Sequence, residues 1–114
     1  MAIEIEHKFL LRDDRWRQRV ERSVLMRQGY LISDARRSVR VRVAGAQGFL
    51  NIKSGTLGIQ RSEYEYAIPL AEAEEILNTL CEQPLLEKTR HFVRCGDHLW
   101  EIDEFAGANA GLIV

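Results

Sequence analysis

Charged side chains recur at every second residue in several segments of this sequence. Residues two apart share one face of a β-strand, so each such segment would present its charges on a common face. Clustered carboxylates suit a hard divalent cation such as Mg²⁺ or Mn²⁺, while arginine and lysine suit phosphate oxygens. The spacing therefore indicates binding of a polyanion together with a divalent cation. The charged set comprises Glu4, Glu6, Lys8, Arg40, Arg42, Lys53, Arg61, Glu63, Glu65, Lys88, Arg90, Glu101 and Asp103.

A solvated outer face of a half-buried sheet would also explain the charges of any single strand. Two features of the whole set argue against that reading. The polar positions carry full charges on strand after strand, and like charges repeat within several strands, as in Arg40 and Arg42. Such neighbours repel each other unless a bound group compensates them, and enclosed charges need partners. We therefore predict that these faces meet around a shared ligand.

Alternating and helical patterns predict the elements that position these residues. The seven predicted strands are Ile3 to Leu11, Val24 to Leu31, Ser38 to Val43, Phe49 to Ser54, Arg61 to Ile68, Glu87 to Arg94 and Leu99 to Phe105. A short helix is predicted from about Arg15 to Arg22, and an amphipathic one from Ala73 to Cys81. An apolar end, Leu112 to Val114, resembles the start of another strand. These elements predict an antiparallel, β-dominated α+β domain.

Length and composition limit the class of protein. The 114 residues, with 46% hydrophobic and 29% charged, predict one domain spanning 1–114. Sixteen basic against seventeen acidic residues give a net charge of -1, which argues against a nucleic-acid partner. No apolar run is long enough for a membrane span, and the N-terminus has no signal core. We expect a cytoplasmic protein with reduced cysteines. The formation of a homodimer is left as an open alternative.

Other chemistries find little support in the sequence. The three histidines lack the spacing of zinc ligands, and serine and threonine residues lack a nucleophile-elbow context. Structural roles are favoured for both cysteines, and the basic pair near residue 36 lacks the clustered aromatics of an RNA site. The residues concerned are His7, His91, His98, Cys81, Cys95, Arg36 and Arg37.

An ordered series of motifs resembles the CYTH domain, the family of triphosphate tunnel metalloenzymes. It opens with Glu-Ile-Glu-His-Lys at 4–8, which is similar to the family's Glu-x-Glu-x-Lys signature. The series spans nearly the whole chain and most closely resembles short bacterial members. Its later members are Gln28-Gly29-Tyr30-Leu31, Val39-Arg40-Val41-Arg42, Ile52-Lys53, Arg61 to Tyr66, Glu87-Lys88-Thr89-Arg90, Trp100-Glu101-Ile102-Asp103 and Gly111-Leu112.

The resemblance implies a closed or partly open barrel of eight antiparallel strands, with a few outer helices, that binds a triphosphate and Mg²⁺ or Mn²⁺. It implies catalytic roles for Glu4, Glu6, Tyr30 and Lys88. The implied metal ligands are Glu4, Glu6, Glu63, Glu65, Glu101 and Asp103. The implied phosphate-binding residues are Lys8, Arg40, Arg42, Lys53, Arg61, Lys88 and Arg90.

Hydrolysis of a triphosphate is the activity that this resemblance favours, with inorganic tripolyphosphate ahead of a nucleoside or thiamine triphosphate. Two alternatives remain open: a cyclase that makes cyclic AMP from ATP, and a polyphosphate- or nucleotide-binding module without turnover. The family normally continues after Gly111-Leu112 with another Glu-x-Glu strand and a helix, which this sequence lacks. We therefore expect a truncated form, in which a partial tunnel would have weakened or absent catalysis.

Overall fold

The fold consists of seven strands, one α-helix and two short 3₁₀ helices within the residues described. The computed structural model describes residues 2–5, 11, 13–55 and 60–114, with 2–5, 60, 61 and 108 described by their backbone alone. No helix in these ranges is long and apolar enough to cross a membrane. The elements are β1 (Ala2–Ile5), a 3₁₀ helix (Arg15–Arg19), β2 (Val20–Ser33), β3 (Arg37–Ala44), β4 (Gln47–Ser54), β5 (Gln60–Ile68), α1 (Leu70–Thr79), β6 (Leu86–Cys95), β7 (His98–Phe105) and a 3₁₀ helix (Gly107–Asn109).

The predicted helix from Arg15 to Arg22 is wrong in type and length. The chain forms a 3₁₀ helix that ends at Arg19, and β2 begins at once. Only Trp16 of this short helix is buried, and no side chain caps its N-terminus. One buried residue does not provide the apolar stripe that stabilises an α-helix, and the β-branched Val20 and Val24 favour the strand that follows.

The chain divides into two compact units. The first contains β1, the part of β2 from Arg27 onwards, β3, β4, β5 and α1. Its strands are ordered β1-β5-β4-β3-β2, and the β1–β5, β4–β5 and β3–β4 pairs are antiparallel.

Helix α1 covers one face of the sheet in the first unit. Val41 and Val43 of β3 form a buried core with Ala73 and Leu77 of α1 and with Cys81. Since alternate residues of a strand point to opposite faces, packing of these valines against α1 directs Arg40 and Arg42 to the other face. The predicted separation of an apolar, helix-covered face from a charged face is therefore confirmed for this unit.

The second unit contains the 3₁₀ helix at Arg15–Arg19, β2 up to Met26, β6, β7 and the residues that follow β7. Its strands are ordered β2-β6-β7, and β6 pairs antiparallel with β7. Trp16, Val93 and Ile102 form its core, so the short helix is held by its one buried aromatic ring.

The apolar end of the sequence contributes a bridge to this unit. Ile113 forms an isolated antiparallel bridge with Glu104. Val114 and Asp103 exchange backbone hydrogen bonds of 2.8 and 3.0 Å.

A strand is present in each of the seven predicted segments. In the first of them, β1 covers Ala2–Ile5, residues 6–10 lie outside the described residues, and Leu11 is not in a strand. The eighth strand implied by the resemblance is not among the described residues.

Candidate functional site

The pairing register of the first unit places charged and amide residues from three strands on one face, which we call the first charged face. Arg40 of β3 is opposite Asn51 of β4, and Asn51 is opposite Glu65 of β5. Lys53 is opposite Glu63, two pairs further along the same two strands. Because partners in an antiparallel pair share a face, the register joins cations and carboxylates that are distant in sequence.

Hydrogen bonds link the side chains of the first charged face. Arg42 Nη2 donates to Glu65 Oε2 at 3.4 Å, and Asn51 Nδ2 donates to the same oxygen at 2.7 Å. Asn51 Nδ2 also lies 3.4 Å from Glu63 Oε1. Arg40 Nε is buried and has no hydrogen-bond partner within the described part of the chain. This nitrogen is a donor available to an anionic ligand such as a phosphate group.

The Gln28-Gly29-Tyr30 motif on β2 also contributes to this face. A Cβ on Gly29 would lie 2.7 Å from Leu85 Cδ2 and 2.8 Å from Cys81 Cβ, so Gly29 packs on the side covered by α1. Gln28 and Tyr30 therefore point to the charged side. Gln28 is 4% exposed, and its Oε1 meets no donor among the described residues.

A second group of charged residues lies on β6 and β7, in the second unit. Lys88 Nζ donates to Asp103 Oδ2 at 2.8 Å, while Arg90 donates to both oxygens of Asp103 at 2.8 and 3.0 Å. Arg90 also contacts Glu101, with Nη1 3.4 Å from Oε2. Lys88 is only 8% exposed, so its ammonium group is held in place by this carboxylate rather than by water.

The Asp103 carboxyl group is ionised by these partners. Burial raises its pKa. Hydrogen bonds from Arg90 and Lys88, together with the positive charges of both side chains, lower the pKa by more than burial raises it, so the net pKa is below the usual value. Both oxygens of Asp103 are occupied by cationic donors. In this arrangement Asp103 orients Lys88 and Arg90, and its role as a metal ligand stays a prediction.

Arg22 is a cation of the second unit that the sequence analysis did not select. Its guanidinium carbon lies 3.8 Å from the centre of the Phe92 ring. Phe92 alternates with Lys88 and Arg90 on β6, so Arg22 belongs to the same face. Arg22 was not predicted to share a strand face with other charged residues, because its segment was predicted as helix, whereas β2 begins at Val20. Lys88, Arg90, Asp103, Glu101, Phe92 and Arg22 form the second charged face.

Several predicted site residues lie outside the described side chains. Glu6 and Lys8 are outside the described residues. Glu4 and Arg61 are described by their backbone, which pairs them in register on β1 and β5. Tyr30 belongs to the first unit and Lys88 to the second, so their predicted pairing stays a prediction.

The described carboxylates provide a partial donor set for a metal. No group of three or more His, Cys, Asp and Glu side chains suited to a metal ion occurs within the described part of the chain. Glu63 and Glu65 nevertheless share an amide donor, and Asn51 has a buried Oδ1 without a partner among the described residues. The carboxylates are hard ligands, which fit Mg²⁺ or Mn²⁺ better than softer metals, and the amide oxygen is an acceptor for a water of such a cation.

His91 lies on the opposite face of β6 and takes part in a separate network. Its Nδ1 is 2.7 Å from Ser23 Oγ and its Nε2 is 3.0 Å from Glu104 Oε1, while its ring packs against Trp16. Glu104 also accepts two hydrogen bonds from Arg17. This network joins β2, β6, β7 and the 3₁₀ helix at Arg15–Arg19, so His91 contributes to packing and hydrogen bonding within the second unit.

Asn51 and Gln28 are two further residues of this face that were not predicted as site residues, although Gln28 is part of the motif series. Asn51 alternates with Lys53 on β4, and Gln28 alternates with Tyr30 on β2. Their spacing is visible in the sequence, but the site residues were predicted mainly from charge, and an amide carries none. A buried strand position occupied by an amide beside charged neighbours was the available signal.

Comparisons with known proteins agree with the motif series. The CYTH domain model matches residues 2–110. An inorganic triphosphatase from Acetivibrio thermocellus is 46% identical over 114 residues, which are all of this chain and 72% of the relative. A crystal structure of the inorganic triphosphatase NE1496 superposes with a TM-score of 0.61 at 28% identity, covering 97% of this chain and 66% of that one. This chain belongs to the CYTH domain family.

Proposed function

We propose that this chain hydrolyses a triphosphate, with inorganic tripolyphosphate as the favoured substrate. The observation that carries the proposal is the first charged face, on which Arg40, Arg42 and Lys53 accompany Glu63 and Glu65. Cations for phosphate oxygens and carboxylates for a divalent cation are the two requirements of phosphoanhydride hydrolysis. The names of the relatives, inorganic triphosphatases, support this substrate class.

In the proposed reaction, water attacks the terminal phosphorus of tripolyphosphate. A P–O bond forms, the bond to the bridging oxygen breaks, and pyrophosphate and orthophosphate leave. Glu4 and Glu6 are proposed to accept the proton of the water and to hold the cation together with Glu63, Glu65, Glu101 and Asp103. A bound Mg²⁺ or Mn²⁺ would supply charge neutralisation and Lewis acidity.

The cationic residues are proposed to bind and orient the substrate. Arginine offers paired donors to phosphate oxygens, and lysine acts as a point charge. Charge on the transferring phosphoryl group is stabilised by donors that are already in place, as with the Lys88 and Arg90 groups fixed on Asp103. The proposed substrate-binding set is Lys8, Arg40, Arg42, Lys53, Arg61, Lys88 and Arg90, with Tyr30 near the reacting phosphate.

We further propose that residues 1–114 act as one CYTH domain with the eight-stranded tunnel of the family. The seven antiparallel strands among the described residues and the motif order across both units support this proposal. A cytoplasmic protein without a nucleic-acid partner fits the two free cysteines and the net charge of -1. Homodimer formation is a separate proposal, which sedimentation would test.

The activity is tested by comparing turnover of tripolyphosphate and ATP with Mg²⁺ and with Mn²⁺, with the products identified. We expect orthophosphate release from tripolyphosphate with a divalent cation, and none with EDTA. Cyclic AMP from ATP would instead identify a cyclase. Tight tripolyphosphate binding without phosphate release would identify a binding module.

Substitution of the opening carboxylates tests their role. We expect Glu4→Gln and Glu6→Gln each to lower the turnover number by at least about 100-fold, because proton acceptance and metal binding are both lost. Glu74→Gln, at an exposed position of α1, is the matched control and should retain full activity. Full activity of either N-terminal variant would refute the assignment.

A further inference from the structure

Asn51 occupies a central position on the first charged face and is not among the proposed metal ligands or phosphate-binding residues. Its side chain is 1% exposed, on β4, between Arg40 of β3 and Glu65 of β5. The Nδ2 atom donates to Glu65 Oε2 at 2.7 Å and lies 3.4 Å from Glu63 Oε1. One amide group therefore contacts both of the predicted metal ligands on β5.

The chemistry of an amide distinguishes this contact from the one at Asp103. Glu63 and Glu65 are two residues apart on one face, and their like charges repel each other. Lys88 and Arg90 neutralise Asp103, whereas the amide of Asn51 carries no charge and offers two N–H donors. The amide thus orients two carboxylates without adding a positive charge to that of Arg42, which also donates to Glu65 Oε2.

The amide oxygen provides the second observation. Asn51 Oδ1 is buried and accepts no hydrogen bond within the described residues. Buried acceptors nearly always have a donor, from the protein or from ordered water. A hydrated cation held by the neighbouring carboxylates would bring water donors to this oxygen, because divalent cations such as Mg²⁺ keep several of their waters when bound.

We propose that Asn51 is a positioning residue that holds Glu63 and Glu65 in the orientation that binds the divalent cation. Its Oδ1 accepts a hydrogen bond from a water of the hydrated cation. This inference rests on the proposed function, since the cation belongs to the proposed reaction. It adds a residue whose contribution is to cation affinity rather than to phosphate affinity.

Asn51→Leu tests the proposal, because leucine has the same branched arrangement of side-chain heavy atoms as asparagine and removes both donors. We expect Mn²⁺ affinity, measured without substrate by the EPR signal of free Mn²⁺, to fall by about tenfold or more. Tripolyphosphate affinity in EDTA, measured by calorimetry, should be unchanged, because the arginine and lysine residues bind the phosphates. The matched control is Asn78→Leu on the exposed side of α1, where Asn78 Oδ1 accepts from Arg27 at 3.3 Å.

Unchanged Mn²⁺ affinity in a folded Asn51→Leu protein would overturn the proposal. An equal loss of Mn²⁺ and tripolyphosphate affinity would also overturn it, since that result indicates a structural role alone. These binding measurements do not depend on turnover. A wild-type chain that binds Mn²⁺ but releases no phosphate would therefore contradict the proposed function and leave the Asn51 result intact.

Asn51→Asp provides a second test if the leucine variant does not fold. Aspartate places a negatively charged oxygen beside Glu63 and Glu65, so repulsion increases without a cation and is relieved when one binds. We expect Mn²⁺ to raise the Tm of this variant by more than it raises that of the wild type. An equal or smaller rise would show that position 51 does not face the bound cation and would overturn the proposal.

Discussion

At the scale of single residues, the described cations differ in how far their charge is already satisfied. Lys88 and Arg90 are bound to Asp103, and Arg42 contacts Glu65. Arg40 Nε is buried without a partner among the described residues; Arg42 Nε is as well, but Arg42 has the contact with Glu65 through Nη2. A buried donor of this kind gains most from a ligand, because the unpaired group has already lost its hydration. We therefore expect Arg40 to contribute more to substrate binding than an exposed arginine does.

Arg40→Ala should weaken tripolyphosphate binding by about 2 kcal/mol, which is roughly thirtyfold, since it removes a charge-assisted hydrogen bond. Arg40→Lys should recover part of the loss, because lysine keeps the charge and loses the paired donors. Calorimetric titration measures both changes. Arg36→Ala, in the exposed turn between β2 and β3, is the control. Equal affinities for the Arg40 and Arg36 variants would remove Arg40 from the site.

At the scale of elements, close packing of α1 on the sheet fixes which face of β4 is charged. A Cβ on Gly48 would lie 2.6 Å from Ala73 Cβ and 3.1 Å from the Ile68 carbonyl oxygen. Glycine at this position therefore allows the helix to approach β4. The opposite face, with Asn51 and Lys53, is left for charged and amide side chains.

Gly48→Ala should destabilise the protein by about 1–3 kcal/mol, because the added methyl group overlaps Ala73. Chemical denaturation measures the change in the free energy of unfolding. Ala73→Gly alone should cost about 1 kcal/mol in helix propensity. The double variant should lose less stability than the sum of the two single changes, because removal of the Ala73 methyl group relieves the overlap. Strict additivity would contradict the contact.

At the scale of the whole molecule, the charges nearly cancel in sum, and charged residues are concentrated on particular strand faces. The net charge is -1, yet Arg40, Arg42 and Lys53 share a face of the first unit. Long-range attraction of an anion is therefore weak, and binding depends on local contacts. The proposed preference for a compact triphosphate over a nucleic acid would depend on this local charge density.

Tripolyphosphate affinity should fall as salt is raised from about 50 to about 500 mM, because the Debye length shortens several-fold over this range. Measured without metal, the loss should be smaller in the Arg40→Ala variant, which has one charge fewer to screen. Affinity that does not change with salt would show that the cations of these faces do not bind the phosphates.

Local patterns account for much of the fold. Alternation of charged and apolar residues predicted all seven strands, because the period of side-chain directions is a property of each strand by itself. It also predicted the separation of Arg40 and Arg42 from the valines under α1. The pattern failed at Arg15 to Arg22, where a single buried tryptophan decides the conformation through contacts distant in sequence.

The sequence by itself determined the family, the strands and the residues that carry charge, since each is written in local spacing and motif order. Only the tertiary structure decided which charges meet: Asn51 with Glu63 and Glu65, Asp103 with Lys88 and Arg90, and Arg22 with the Phe92 ring. The physical reason is that strand register is set by pairing between strands and by the turns that join them, which the spacing within one strand does not specify. A shift of one residue would turn every one of these side chains to the other face.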